Sequence, residues 1–267
     1  MSSTAFWVEG NERLMIVSPC RQYNDIVTNG LLFQVGPDND FMPPNQTKDE
    51  GNDDQVFWGF SCMTAAEYKF PNPPSDQPQW LALAQGVWNS QQLRWNAQTC
   101  GGGLNWQIYS FNKGYDYKNS PSNAGFLNLG ARLFACECNA TESLAGRLTD
   151  DFADTGNQTF ADWTTKTWDW MADVGLIGGN KGYSIFDGTS ENNNCTTIDH
   201  IQWTYSAGMM INAAAVMWNA TGDDMWKTRA QGVWDSSLVF FTDDKVLEEV
   251  ACENNDTCDT DQLSFKS

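Results

Sequence analysis

Two adjacent carboxylates, Asp53 and Asp54, open the aromatic-rich stretch GNDDQVFWGF. Neighbouring carboxyl groups in a partly dry cleft cannot ionise independently: one keeps its proton while the other carries the charge, which is the combination that cleaves a glycosidic bond. Carboxyls about 5 to 5.5 Å apart suit direct attack with retention, and about 6.5 to 9.5 Å leaves room for the water of an inverting reaction. Consecutive residues of one helical turn can reach the shorter distance, and the sequence leaves the choice open. The same pattern also has an ordinary structural use. Acidic residues in a first turn satisfy unpaired N–H groups and the helix dipole, with Asn52 as the cap. Three further pairs, Asp150-Asp151, Asp223-Asp224 and Asp243-Asp244, have the same composition, so the elements around the pair must decide between the readings.

Apolar spacing and breakers predict helices over about 23–33, 53–69, 78–95, 122–136, 159–174, 201–218 and 223–240, and no strand longer than a few residues. Two of these helices share AQGVW in the same frame, ending at Trp88 and Trp234, and Phe160 to Trp168 repeats the aromatic spacing. Each copy follows a helix rich in Ala, Gly and Met, whose small side chains allow close packing. The repeating unit is therefore a hairpin of an inner and an outer helix, stacked as a solenoid or closed as a toroid. The loops 34–52, 100–121 and 179–200 all precede inner helices and should meet at one end. That places Asp53 and Asp54 among Trp106, Tyr115, Lys118, Asn119, Asn123, Gln202, Trp203 and Tyr205. Trp88, Trp168 and Trp234 read as packing residues, and Trp106 and Trp203 as platforms for sugar rings.

With 15 Lys plus Arg against 34 Asp plus Glu, the net charge of −19 disfavours nucleic acid as a partner. No CxxC pair occurs and His200 is the single histidine. Neither a zinc site nor a His-based nucleophilic triad is expected, and no cofactor. The run Cys100 to Gly103 lacks the phosphate-cradling pattern and reads as a tight turn or a close backbone approach. Eight cysteines fit disulfides better than metal; Cys252 and Cys258 can close a short loop, while the partners of the others stay open. Cys136 and Cys138 read as a half-buried thiol and a loop disulfide. Sequons at Asn45, Asn139, Asn157, Asn194, Asn219 and Asn255 point to the secretory pathway. Residues 1–22 contain no signal-peptide hydrophobic run and read as an atypical N-terminal segment.

GNDDQVFWGF, FPNPPSDQPQWLALAQ, TCGGGLNWQIY, GYDYKNSPSNAGFLNLGARL, WDWMADVGLI and HIQWTYSAGMMINAAAVMWNATGD together resemble fungal members of glycoside hydrolase family 76, the endo-1,6-α-mannosidases. The resemblance implies an all-α (α/α)6 toroid over 23–267, apparently incomplete at both ends because the family has further helices before and after, with apolar inner surface exposed. It implies retaining chemistry with Asp53 as nucleophile and Asp54 as general acid/base, and sugar contacts from Trp58, Trp106, Gln107, Lys118, Asn119, Asn123, Gln202, Trp203 and Tyr205. The implied substrate is α-1,6-mannan or the mannose core of a GPI anchor, in fungal cell-wall biogenesis, with hydrolysis or transfer to a wall glucan acceptor as outcomes and a monomer at the cell surface or wall. The alternative is a non-catalytic mannan-binding protein or an inactive remnant. Prenyl-diphosphate chemistry is disfavoured, since the DDxxD it wants for magnesium is absent.

Overall fold

A computed structural model describes residues 23–45, 47–143 and 150–258. The segment 1–22 lies outside the described residues, as do the side chains of Cys138, Asn139 and Asn157. Seven α-helices form the described part: α1 (Asn24–Phe33), α2 (Asn52–Glu67), α3 (Trp80–Leu93), α4 (Ser120–Ser143), α5 (Asp150–Val174), α6 (Thr204–Thr221) and α7 (Asp224–Ser237). Inner helices α2, α4 and α6 pack side by side, and α3, α5 and α7 each lie against the inner helix before them. This is the paired-helix layering of an (α/α)6 toroid, as the repeat predicts.

Small residues make the close approach possible. A Cβ on Gly59 of α2 would stand 2.8 Å from Leu129 Cδ2 of α4 and 3.0 Å from Val87 Cγ1 of α3. The outer tryptophans fill the space between layers: Trp88 stacks on Phe126 at 5.3 Å and meets the edge of Phe160 at 4.6 Å, and Trp168 meets Trp226 at 5.7 Å. Trp88 and Trp168 are buried as expected, whereas Trp234 is 48% exposed and touches Phe241. Large aromatic pairs of this kind add directional attraction to the apolar area they bury.

Five strands of two or three residues, none longer than the sequence pattern allows, organise the loop end. β1 (Tyr117–Asn119), β4 (Gly188–Ser190) and β5 (Ile198–Asp199) form one antiparallel sheet in the order β1-β4-β5, and β2 (Ile177–Gly178) pairs with β3 (Ser184–Ile185). None exceeds three residues, too few for an alternating pattern to register. Cys100–Cys195 ties two long loops across a sequence separation of 95, and Cys252–Cys258 closes the short loop foreseen from spacing. No described helix is long and apolar enough to cross a membrane.

Candidate active site

The start of α2 is held by two neighbouring segments. Gly51, not Asn52, is the N-cap, and Gly51 forms an isolated bridge with Gln107. The Asn52 N–H donates to Trp106 O at 2.8 Å. The Asn52 side chain is spent elsewhere: Nδ2 donates to Asn105 O at 2.8 Å and Oδ1 accepts from Arg94 Nε at 2.8 Å. The first turn is thus bolted to the 100–121 loop on one side and to the end of α3 on the other.

On this frame Asp54 Oδ2 accepts the Gly51 N–H at 2.9 Å, and Asp53 Oδ1 accepts the Asp54 N–H at 3.0 Å. Asn119 Nδ2, at the end of β1, donates to Asp53 Oδ2 at 3.1 Å. A Cβ on Gly51 would stand 2.5 Å from Asp53 Oδ1 and 3.2 Å from Asp54 Oδ2. Both oxygens therefore crowd one point, closer to each other than the about 6.5 Å that inversion requires at the least. Burial, then the charge of Asp54, pushes the Asp53 carboxyl up to about 8, against the pull of Asn119 and the backbone donors. Burial also raises Asp54, which the Gly51 N–H pulls back. Two buried carboxyls this close cannot ionise independently, so the two titrate as a unit.

Around the pair, Trp106 and Gln107 are half-buried in the loop that bridges to Gly51, and Gln107 Oε1 accepts from Asn112 Nδ2 at 3.1 Å. Trp203 is the N-cap of α6, with Gln202 half-buried before it, and its Nε1 donates to Asp187 Oδ1 at 2.9 Å. Tyr205 stands within electrostatic reach of Asp53: burial first, then the charges of Asp53 and Asp187, hold its phenol well above its ordinary value and so keep it a donor. Glu249 caps this helix, its carboxylate accepting the Thr204 N–H at 3.1 and 3.2 Å.

Three expected sugar contacts are structural instead. Trp58 is 3% exposed and stacks on Phe41 at 5.4 Å, because the loop before α2 folds over that face of the helix. Lys118 is fully buried; its Nζ donates to the carbonyls of Asn96 and Thr99 at 3.0 Å and to that of Gly102, with Glu191 Oε1 at 3.6 Å. Burial pulls its ammonium down to about 8. Asn123, also fully buried, exchanges hydrogen bonds with Leu104, accepting its N–H at 2.8 Å and donating to its carbonyl at 3.0 Å. Lys118 and Asn123 hold the glycine-rich loop in place, so they shape the cleft from behind.

The sequence reading overlooked Asp187, whose carboxylate also accepts from Tyr117 Oη at 2.7 Å, and Glu191, which gathers Asn96 at 3.0 Å and Asn105 at 2.9 Å. Their only signal was membership of the long polar loop 179–200. Among the described residues, no group of three or more His, Cys, Asp or Glu side chains is placed to hold a metal ion. His200 packs against the Phe186 ring at 4.5 Å.

Residues 12–267 match the family model described as glycosyl hydrolase family 76, a range that begins inside the segment set apart as atypical. The chain is 46% identical over 245 residues to mannan endo-1,6-alpha-mannosidase DCW1 of Candida glabrata, covering 92% of this chain and 51% of that protein. The protein of the same name from Saccharomyces cerevisiae is 44% identical, covering 92% and 50%. The chain thus spans about half the length of the curated relatives it matches. Among solved structures, Dfg5 from Chaetomium thermophilum, in complex with glucosamine, is 41% identical with a TM-score of 0.84, covering 98% of this chain and 58% of that one. An inactive variant of the α-1,6-mannanase GH76A of Salegentibacter sp. HEL1_6, with two consecutive aspartates changed to asparagine and α-1,6-mannotriose bound, shares the fold at 17% identity and TM-score 0.62, covering 88% and 60%.

Proposed function

Because the chain belongs to glycosyl hydrolase family 76, we propose that it carries the catalytic half-site of a retaining endo-acting enzyme that cleaves α-1,6-mannosidic linkages in mannan or in the mannose core of a GPI anchor. One observation carries the reading: two buried carboxyl oxygens converge on one point at the start of the inner helix α2, and in this reading the pair shares one proton. In this reading Asp53 attacks the anomeric carbon and forms a glycosyl ester, while Asp54 gives its proton to the departing oxygen. Asp54 then takes a proton from water, for hydrolysis, or from a sugar hydroxyl, for transfer to a glucan acceptor, and the new oxygen displaces Asp53. Burial favours the shared proton on Asp53, so the roles require it on Asp54 when the bond breaks; the Asn119 donor at Asp53 Oδ2 favours that distribution.

Trp106 and Trp203 offer half-buried aromatic faces to sugar rings, and Tyr205 a donor beside the nucleophile. Four sequon asparagines, Asn45, Asn194, Asn219 and Asn255, are exposed, which supports passage through the secretory pathway to the cell surface or wall. Action as a monomer belongs to the same proposal.

The roles separate on a mannosyl donor whose leaving group needs no protonation, such as a mannosyl fluoride. Asp54→Ala should still form the glycosyl ester from it, whereas Asp53→Ala should not. Undiminished turnover of α-1,6-mannan by Asp53→Asn would remove the reading, and binding without turnover by the wild type would favour a mannan-binding protein.

A further inference from the structure

A third carboxyl lies behind the pair, and the reaction described above does not use it. Glu50 immediately precedes Gly51, the residue whose N–H holds Asp54 Oδ2 at 2.9 Å. It is 1% exposed, and among the described residues neither of its carboxyl oxygens has a hydrogen-bond partner. A buried charge left without donors is disfavoured far more strongly than a buried neutral acid.

Among the described residues, the charged groups facing Glu50 are Asp54 from the first turn of α2, Arg94 from the end of α3 and Asp40 from the loop after α1. Arg94 also faces Tyr109. The Arg94 guanidinium favours a charge on Glu50 through space and only in part offsets burial and Asp54; the three hydrogen bonds it donates go to uncharged acceptors, Asn52 Oδ1 at 2.8 Å, Ser90 Oγ at 3.1 Å and Gln55 Oε1. The other partnerless buried oxygens on this side of α2, Asp40 Oδ1 and Gln91 Oε1, are acceptors too. Burial without a hydrogen-bond donor, beside two other carboxyls, suits a carboxyl that carries its proton.

We propose that Glu50 is a third, proton-holding carboxyl of the site, a positioning residue that acts through charge. When a proton leaves Glu50, the negative charge uncovered beside Asp54 holds the remaining proton on the catalytic pair. The proposal rests on reading Asp53 and Asp54 as the reacting pair. Burial, then the charge of Asp54, pushes Glu50 up to about 8, the same range as Asp53, so its charge arrives as the pair approaches its last ionisation. The form with one proton on the pair then persists to higher pH than two carboxyls alone would allow.

The test is an NMR titration of the full chain labelled with 13C at the aspartate carboxyls, in the wild type, Glu50→Gln and Glu50→Met. Loss of signal in Asp53→Asn and Asp54→Asn assigns the pair. In both Glu50 variants the last ionisation of the pair should fall by about one pH unit, a tenfold rise in its acid constant. An unchanged or higher midpoint in either variant overturns the proposal. Agreement in Met as well as Gln shows that the lost proton site, and not a new amide, causes the shift. The same variants assayed on α-1,6-mannan should show the alkaline limb moving down with the titration. The titration needs no substrate, so an inactive wild type counts against the proposed function and leaves the result for Glu50 standing.

Discussion

Replacing Asn119 with Ala removes the side-chain donor that supports a charge on Asp53, the 3.1 Å bond from Nδ2 to Oδ2. A hydrogen bond to a charged group is worth about 1.5 to 3 kcal/mol, and 1.36 kcal/mol corresponds to one pKa unit. The ionised pair therefore loses about 1 to 2 units of support, and Asp53 rises from a value already near 8. The assay is kcat/KM for α-1,6-mannotriose as a function of pH. Its bell should move to higher pH by about 1 to 2 units, and the rate near pH 6 should fall about ten- to a hundredfold. Asn119 Oδ1 also accepts the Ser122 N–H at 3.3 Å, so a cap worth about 1 kcal/mol is lost as well. A melting curve separates that structural loss from the shift in the bell. A folded Asn119→Ala protein with the wild-type bell would refute the reasoning, because the donor would then have no part in the charge on Asp53.

Gly51→Ala pushes a methyl against Asp53 Oδ1 at 2.5 Å and Trp106 O at 3.1 Å; chemical denaturation should show a loss of about 1 to 3 kcal/mol, with turnover lost as well. Asp53 binds its proton in the fold up to about 8 against an ordinary 3.8, while the unfolded chain has released it. Its contribution to stability is therefore full below about 3.8 and is lost as pH rises towards 8, so the melting-temperature gain of Asp53→Asn over wild type should grow across that window. Breaking Cys100–Cys195 by paired Ser substitutions should cost about 4 to 5 kcal/mol in a chain-entropy account, read by denaturant titration, and should separate the loops that carry Trp106 and Trp203. Lys118→Met leaves the loop carbonyls and Glu191 without their cation; chemical denaturation should show stability falling by about 3 kcal/mol.

The helices were legible because each outer helix repeats an aromatic spacing and each inner one a supply of small residues, and packing rewards both patterns directly. Gly59, held between Leu129 and Val87, shows what the small residues are for. The pair was legible because the long loops all precede inner helices. Its immediate supports were only partly so. Lys118 and Asn123 sit beside cleft residues in sequence, and a polar side chain near a cleft reads as a ligand contact until its partners are known. Those partners are main-chain atoms of 96–104, which leave no trace in side-chain pattern. Trp58 lies one turn beyond Asp54 and so shares its side of α2, but a residue of the preceding loop, Phe41, covers it. Asp187 and Glu191 gain their importance from a disulfide and a strand pairing across about 70 to 95 residues, a separation that local spacing cannot report.

Retention requires two carboxylates close enough for direct attack. Proton NMR of the first products released from α-1,6-mannotriose, recorded before mutarotation, tests this most directly. The α-anomer appearing first, and vanishing in Asp53→Asn, is the predicted result. Initial release of the β-anomer would mean that water, and not Asp53, attacks the anomeric carbon, and would contradict the account.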